Sequence, residues 1–160
     1  MTKLRNAAVA FALLVIVVGC AIGAQGRYMM APDGANYTNE YISYSIYDTK
    51  GKPFGLGGDI KPFNKNGATH GDCCALLPGP GQTIRVVWDA DTEDDTSAEK
   101  HTYTKDVFVT GSPPVSKDAY NNLVVRFFPH KEVEVEFISA SPADLDKGIS
   151  SPRLDRIFFR

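Results

Sequence analysis

The chain has 160 residues, with 17 Lys or Arg against 19 Asp or Glu, and its formal net charge is -2. That length suits one ordinary domain able to bury its own core. The acidic balance argues against nucleic acid, whose binders carry a basic stripe.

Residues 1–20 read MTKLRNAAVAFALLVIVVGC. Lys3 and Arg5 form a basic head without acids, and the apolar run 7–18 is shorter than the about 20 residues of a comfortable bilayer span. The pattern is that of a secretory signal rather than a retained membrane helix. Val17-Val18-Gly19-Cys20 resembles a bacterial lipobox, in which a peptidase cuts before a cysteine whose sulfur carries diacylglycerol. The resemblance implies a signal over residues 1–19 and lipidation of Cys20. Ala21, where many such proteins retained in the inner membrane carry aspartate, implies the outer membrane, facing the periplasm. Residues 20–36 (CAIGAQGRYMMAPDGAN) are small, Gly- and Pro-containing and without period, as expected of the lipidated cysteine and a flexible tether. A single domain is expected over residues 37–160. Without Lys3 and Arg5 the mature chain has 15 basic against 19 acidic residues.

Further along, residues 42–47 alternate Ile42, Tyr44 and Ile46 with Ser43, Ser45 and Tyr47. The run 70–81 (HGDCCALLPGPG) then places Cys73 beside Cys74. With Cys20 acylated, this pair faces an oxidising compartment. Three states are open: a vicinal disulfide, unpaired structural thiols on a strand, or intermolecular or metal chemistry. His70 alone does not complete a metal ligand set beside adjacent cysteines, so neither metal nor cofactor is expected.

Ile84, Val86 and Trp88 alternate with Thr83, Arg85 and Val87, and Val133, Val135 and Phe137 alternate with three glutamates. Both segments read as half-buried strands, and residues 123–128, apolar on both faces, as an inner strand. Pro129-His130-Lys131 has the length of a hairpin loop. Helical signals are confined to a turn after Ser116 and to Ser141-Pro142, an N-cap with proline at the first position. The prediction is an all-β fold, an antiparallel sandwich or barrel-like domain of about six to eight short strands with one or two helical turns.

Chemistry-bearing motifs are sparse. No G-x-S-x-G elbow occurs, and His70, His101 and His130 stand apart in polar, turn-like contexts. His70, Asp72 and Cys73 would make a thiol dyad only if the fold positioned a base. Residues 89–95 (DADTEDD) lack the glycine and glutamate that a calcium loop needs at its sixth and twelfth positions. They read as a solvated acidic loop in which Asp91, Glu93, Asp94 and Asp95 could meet a partner and steer a basic surface. Tyr41 and Tyr47, on the less apolar face of their strand, are further contact candidates. The Asn36-Tyr37-Thr38 sequon is uninformative in a bacterial lipoprotein.

In order, Tyr37-Thr38, residues 42–47, Gly57-Gly58, Gly71-Asp-Cys-Cys-Ala-Leu-Leu-Pro78, residues 80–88 and Leu123-Val-Val-Arg-Phe-Phe-Pro129 resemble a family of small bacterial lipoproteins. It is the family catalogued as domain of unknown function 3304, with its G-x-C-C-x-x-L-P…P-G…V-x-W core. One departure is that its members often carry a tryptophan before the Pro-Gly of this loop, where this chain reads Leu77-Pro-Gly-Pro-Gly81. Members are often encoded beside phospholipase effectors of the type VI secretion system. The resemblance therefore implies a non-enzymatic immunity protein that binds and inhibits such a lipase, with Cys73 and Cys74 at the entrance to the strand 84–88. The alternative is a structural or assembly lipoprotein of the envelope or secretion machinery. A hydrolase or thiol enzyme would need a convergent triad that the sequence does not display.

Overall fold

The computed structural model describes residues 26–145 apart from 72, 92–100 and 115. The expected signal, Cys20, and the acidic residues Glu93, Asp94 and Asp95 lie outside these. Nine strands form: β1 (Arg27–Asn36), β2 (Tyr41–Tyr47), β3 (Pro53–Ile60), β4 (Ala68–His70), β5 (Ala75–Pro78), β6 (Thr83–Asp91), β7 (Thr102–Gly111), β8 (Tyr120–Phe128) and β9 (Glu132–Ala140). They make one sheet in the order β3-β2-β6-β7-β9-β8-β1-β4, with β5 also on β1. The sheet curls until β3 approaches β1, β4 and β5, giving a nearly closed, all-β barrel.

The period-two segments become walls with one face inward. Ile42, Tyr44 and Ile46 of β2, Ile84, Val86 and Trp88 of β6, and Val133, Val135 and Phe137 of β9 are all buried in one core. Each such large side chain withdrawn from water contributes about 1.5–3 kcal/mol. The inner-strand pattern of β8 holds as well: Leu123, Val125 and Phe127 join that core, while Val124 and Arg126, on the opposite face, are equally buried. Arg126 is offset by an ion pair with Glu136 at 2.6 Å. Tyr44 sits against Phe127, ring centroids 5.3 Å apart, and its hydroxyl has no hydrogen-bond partner. Burial first, and the negative charge of Asp33 second, push its pKa well above the ordinary phenol value.

Two expectations are corrected. The pairing is not purely antiparallel, since β1 runs parallel to β8 and β7 parallel to β9. The tether does not extend to residue 36: β1 begins at Arg27, and Met30, Ala35 and Asn36 have no exposed surface. Proline and two glycine-flanked polar residues hide this strand from a periodicity reading, yet it pairs on both edges, with β8 on one and β4 and β5 on the other. Pro32 explains why β4 and β5 are separate. It offers a carbonyl to Gly71 N–H at 2.7 Å but has no N–H to return, so the ladder stops after His70 and resumes at Ala75. Gly71 is required at the break, because a Cβ would collide with the Pro32 ring and carbonyl.

Following the strand directions around the barrel gives it two ends. One gathers the starts of β1, β3, β6 and β8 and the ends of β2, β5, β7 and β9; the other gathers the opposite termini. The 3-10 turn Phe63–Lys65 and the hairpin turn Pro129–Lys131 lie at the second end, and the short helix Pro142–Leu145 follows β9 at the first. The expected hairpin and the proline-started helical turn are both where the sequence places them.

Because β1 is a buried, doubly paired strand, a chain starting at Tyr37 is expected to lack cooperative thermal unfolding by circular dichroism, while one starting at Gly26 retains it.

Candidate functional site

At the second end of the barrel, register brings scattered acids together. Tyr41 of β2 pairs with Asp91 of β6, and Ser43 is flanked by Asp89 on one side and Asp59 of β3 on the other. The alternation that sends Ile42, Ile60 and Ala90 into the core turns Tyr41, Ser43, Asp59, Asp89 and Asp91 outward. A shallow depression of about 340 Å³ lies among Tyr41, Ser43, Asp59, Lys61 and Asp91. Asp89 accepts a hydrogen bond from Thr102 Oγ1 at 2.6 Å. Asp59 and Asp91 have no basic partner among the described residues. Asp59, Asp89 and Asp91 thus set three carboxylates side by side on this outer face.

The frame beneath it is polar but satisfied. Asn36, fully buried, donates from Nδ2 to the carbonyls of Glu40 (2.7 Å) and Lys61 (3.0 Å). Its Oδ1 accepts from the Thr38 N–H (2.9 Å) and Thr38 Oγ1 (2.7 Å). One side chain thus ties the β1–β2 turn to the end of β3, which is the use the sequon residues have here. Lys131 bonds both Glu40 carboxylate oxygens at 2.7 Å and lies 4.7 Å over the Tyr103 ring. Lys65 bonds the Tyr41 hydroxyl at 3.2 Å. Tyr41, with Lys65 held against its ring, is thus the aromatic beside the acids, while Tyr103 packs on the core.

The other sequence candidates fall elsewhere. Cys73 and Cys74 are joined in a vicinal disulfide and are exposed, so buried inert thiols on a strand are ruled out for this state. Nor do they stand at the entrance to the strand 84–88: they precede β5, which pairs with β1 before the chain reaches β6. Tyr47 sits at the far end of β2 from Tyr41, opposite Arg85, which makes two bonds to Asp106 at 2.7 and 3.0 Å. That guanidinium holds the Asp106 carboxyl below its usual range. His101 and His130 stay apart at the second end.

His70 has a companion the sequence does not suggest. Its Nδ1 lies 3.0 Å from Asp33 Oδ1, and Asn122 Nδ2 donates to Asp33 Oδ2 at 2.8 Å. A nearly buried carboxylate thus orients an exposed imidazole, the relation a general base needs. The neighbouring sulfurs are bonded to each other, however, and a disulfide sulfur is not a thiolate nucleophile. Asp33 falls in the segment that reads as tether and Asn122 lies 89 residues away from it, so only the β1–β8 pairing could reveal the cluster. Asp59 is likewise the single acid of its strand and gains meaning only from register.

No family model matches this chain, and a search of curated proteins finds no match. The resemblance to the lipoprotein family consequently rests on its motif residues.

Asn36→Ala is expected to cost about 1–3 kcal/mol in denaturant unfolding, because it removes both donors to the Glu40 and Lys61 carbonyls and the acceptor of the buried Thr38 N–H. An unchanged midpoint would show that the frame is held by other contacts.

Proposed function

We propose that this protein is a lipid-anchored, periplasm-facing binding protein of the outer membrane that captures and inhibits a phospholipase effector of a type VI secretion system. The observation that carries the binding role is the convergence of Asp59, Asp89 and Asp91 with Tyr41 at the barrel end opposite the one where β1 begins. A chain anchored through Cys20 joins the domain at Gly26 and so presents this acidic end away from the bilayer. Such a field accelerates encounter with a basic surface, and the adjacent tyrosine supplies apolar contact area. The lipase as partner is supported by the Gly71-x-Cys73-Cys74-x-x-Leu77-Pro78 resemblance, and anchoring supplies effective concentration on the surface that a lipase attacks. Inhibition follows from occluding the effector's cleft or its lid.

Titrating the mature chain into the phospholipase encoded beside its gene is expected to abolish lipid hydrolysis at one equivalent. Asp59→Lys with Asp91→Lys should lower the association rate about tenfold or more at low salt and flatten its salt dependence. A folded chain that neither binds nor inhibits would overturn the reading and favour a structural or assembly lipoprotein.

A further inference from the structure

Residues that fold into β1 cannot serve as tether. Between Cys20 and Arg27 there are at most seven residue steps, which extend no more than about 25 Å. An acyl chain on Cys20 therefore keeps the first end of the barrel within about one domain radius of the bilayer, so the side chains there meet the headgroup region repeatedly.

Those side chains are unusual for this molecule. Met29, Leu76, Phe108 and Tyr120 are its exposed large apolar residues among those described, at 57%, 49%, 57% and 60% of their surface. Met29 is the third residue of β1 and pairs with Leu76 of β5, so the two side chains adjoin on the outer wall. Tyr120 opens β8, and Phe108 lies near the end of β7, opposite the first residue of β6. Met29, Phe108 and Tyr120 fall in the part of their strands nearest the first end, and Leu76 lies opposite Met29. The Met29–Leu76 pair borders a wide depression whose rim includes Arg27, Pro113, Pro114 and Lys117. Arg27 and Lys117 are exposed, as are Lys50 and Lys52 in the turn after β2. The acids at this end are Asp48, whose carboxylate accepts from the Lys50 and Lys52 N–H groups at 2.9 and 2.8 Å, Asp118, and Asp144 of the short helix. The first end thus sets exposed apolar side chains beside Arg27 and Lys117, whereas the second gathers Asp59, Asp89 and Asp91.

We infer that the Met29–Leu76 face, with Tyr120 and the flanking Arg27 and Lys117, is a membrane-contact surface that seats the barrel on phospholipid headgroups. The inference rests on the lipid-anchored reading above and adds the orientation: first end down, acidic end outward. Amphipathic tyrosine and snorkelling basic residues suit the interfacial layer, and apolar side chains enter the acyl boundary between them. One acyl-linked cysteine alone would let the barrel tumble; this face fixes which end the periplasm meets.

The test uses the full mature chain, reconstituted in vesicles of phosphatidylethanolamine and phosphatidylglycerol whose acyl chains are brominated near the headgroup. An indole is introduced by Leu76→Trp in one sample and by Ser43→Trp in another; the native Trp88 is buried in both. The inference expects blue-shifted, bromine-quenched emission from Leu76→Trp and unquenched emission from Ser43→Trp. Met29→Trp, at the paired position, gives the same reading should Leu76→Trp fail to fold. Acylation is read separately from the intact mass. An acylated chain with equal quenching at both positions overturns the orientation and leaves the anchor standing. A mature chain without acyl mass overturns the anchored reading and this inference with it. A blue shift that appears without vesicles, in a chain sedimenting as a dimer, assigns the face to a second copy and also overturns the inference.

Discussion

The barrel depends on β1 being paired along both edges. Its parallel ladder with β8 joins it to the antiparallel β8–β9 hairpin, and its other edge carries β4 and β5 in turn. Parallel neighbours require a long connection, and here β2 to β7 all lie between the two strands. Their pairing is therefore the contact of highest sequence separation in the sheet and the one that holds the first strand against the last hairpin. Met30, on the inward face, and Asp33, on the outward face, are buried as a consequence. The same pairing brings Asn122 to Asp33 and lets Asp33 hold His70.

Pro32 gives that edge its one weakness. A residue without an N–H cannot complete the ladder, so the chain opposite must leave and return, and the Cys73–Cys74 disulfide sits on that detour. This accounts for a cysteine pair that is exposed in a domain with an adequate apolar core. The disulfide does not staple distant strands, since a one-residue separation closes almost no chain entropy. What it does is shorten the freedom of a loop anchored on one side by Gly71 at Pro32 and on the other by Ala75 opposite Met30.

Much of this architecture was legible in the sequence because it is local. Alternation marked β2, β6 and β9, a doubly apolar run marked β8, and proline placed both the hairpin and the final helical turn. β1 escaped because MMAPDGAN shows neither alternation nor a β-branched run, and its burial comes from neighbours rather than from its own hydrophobicity. β3 escaped for a related reason: Gly55, Gly57 and Gly58 read as a turn. Gly57 is needed because any Cβ would strike the Tyr44 carbonyl, so β3 can lie against β2 only with glycine at that point. Of the acidic site, the charge run 89–95 exposed Asp89 and Asp91 at its base. Asp59 carries no signal until β2 sets it across Ser43 from Asp89. The His70 partner was invisible for the same reason, its carboxylate being 37 residues away.

Reassigning ten residues from tether to strand changes more than a boundary. A tether reaching residue 36 would leave the domain's orientation free, and no surface would then be privileged by the anchor. Under the proposed anchor at Cys20, a link of at most seven steps leaving from the start of β1 would tie orientation to topology, because every strand end would then be either near the bilayer or far from it. The distribution of side chains follows that division. Exposed apolar side chains with Arg27 and Lys117 beside them collect near the link, a composition that suits an anionic, apolar interface. Asp59, Asp89 and Asp91 collect at the other end, where they would be repelled by an anionic membrane and would attract a soluble basic partner. Charge alone would not favour a binding protein over a solubilised scaffold. Charge sorted along the axis that the proposed anchor would define supports the binding reading, since solubility asks for no such order.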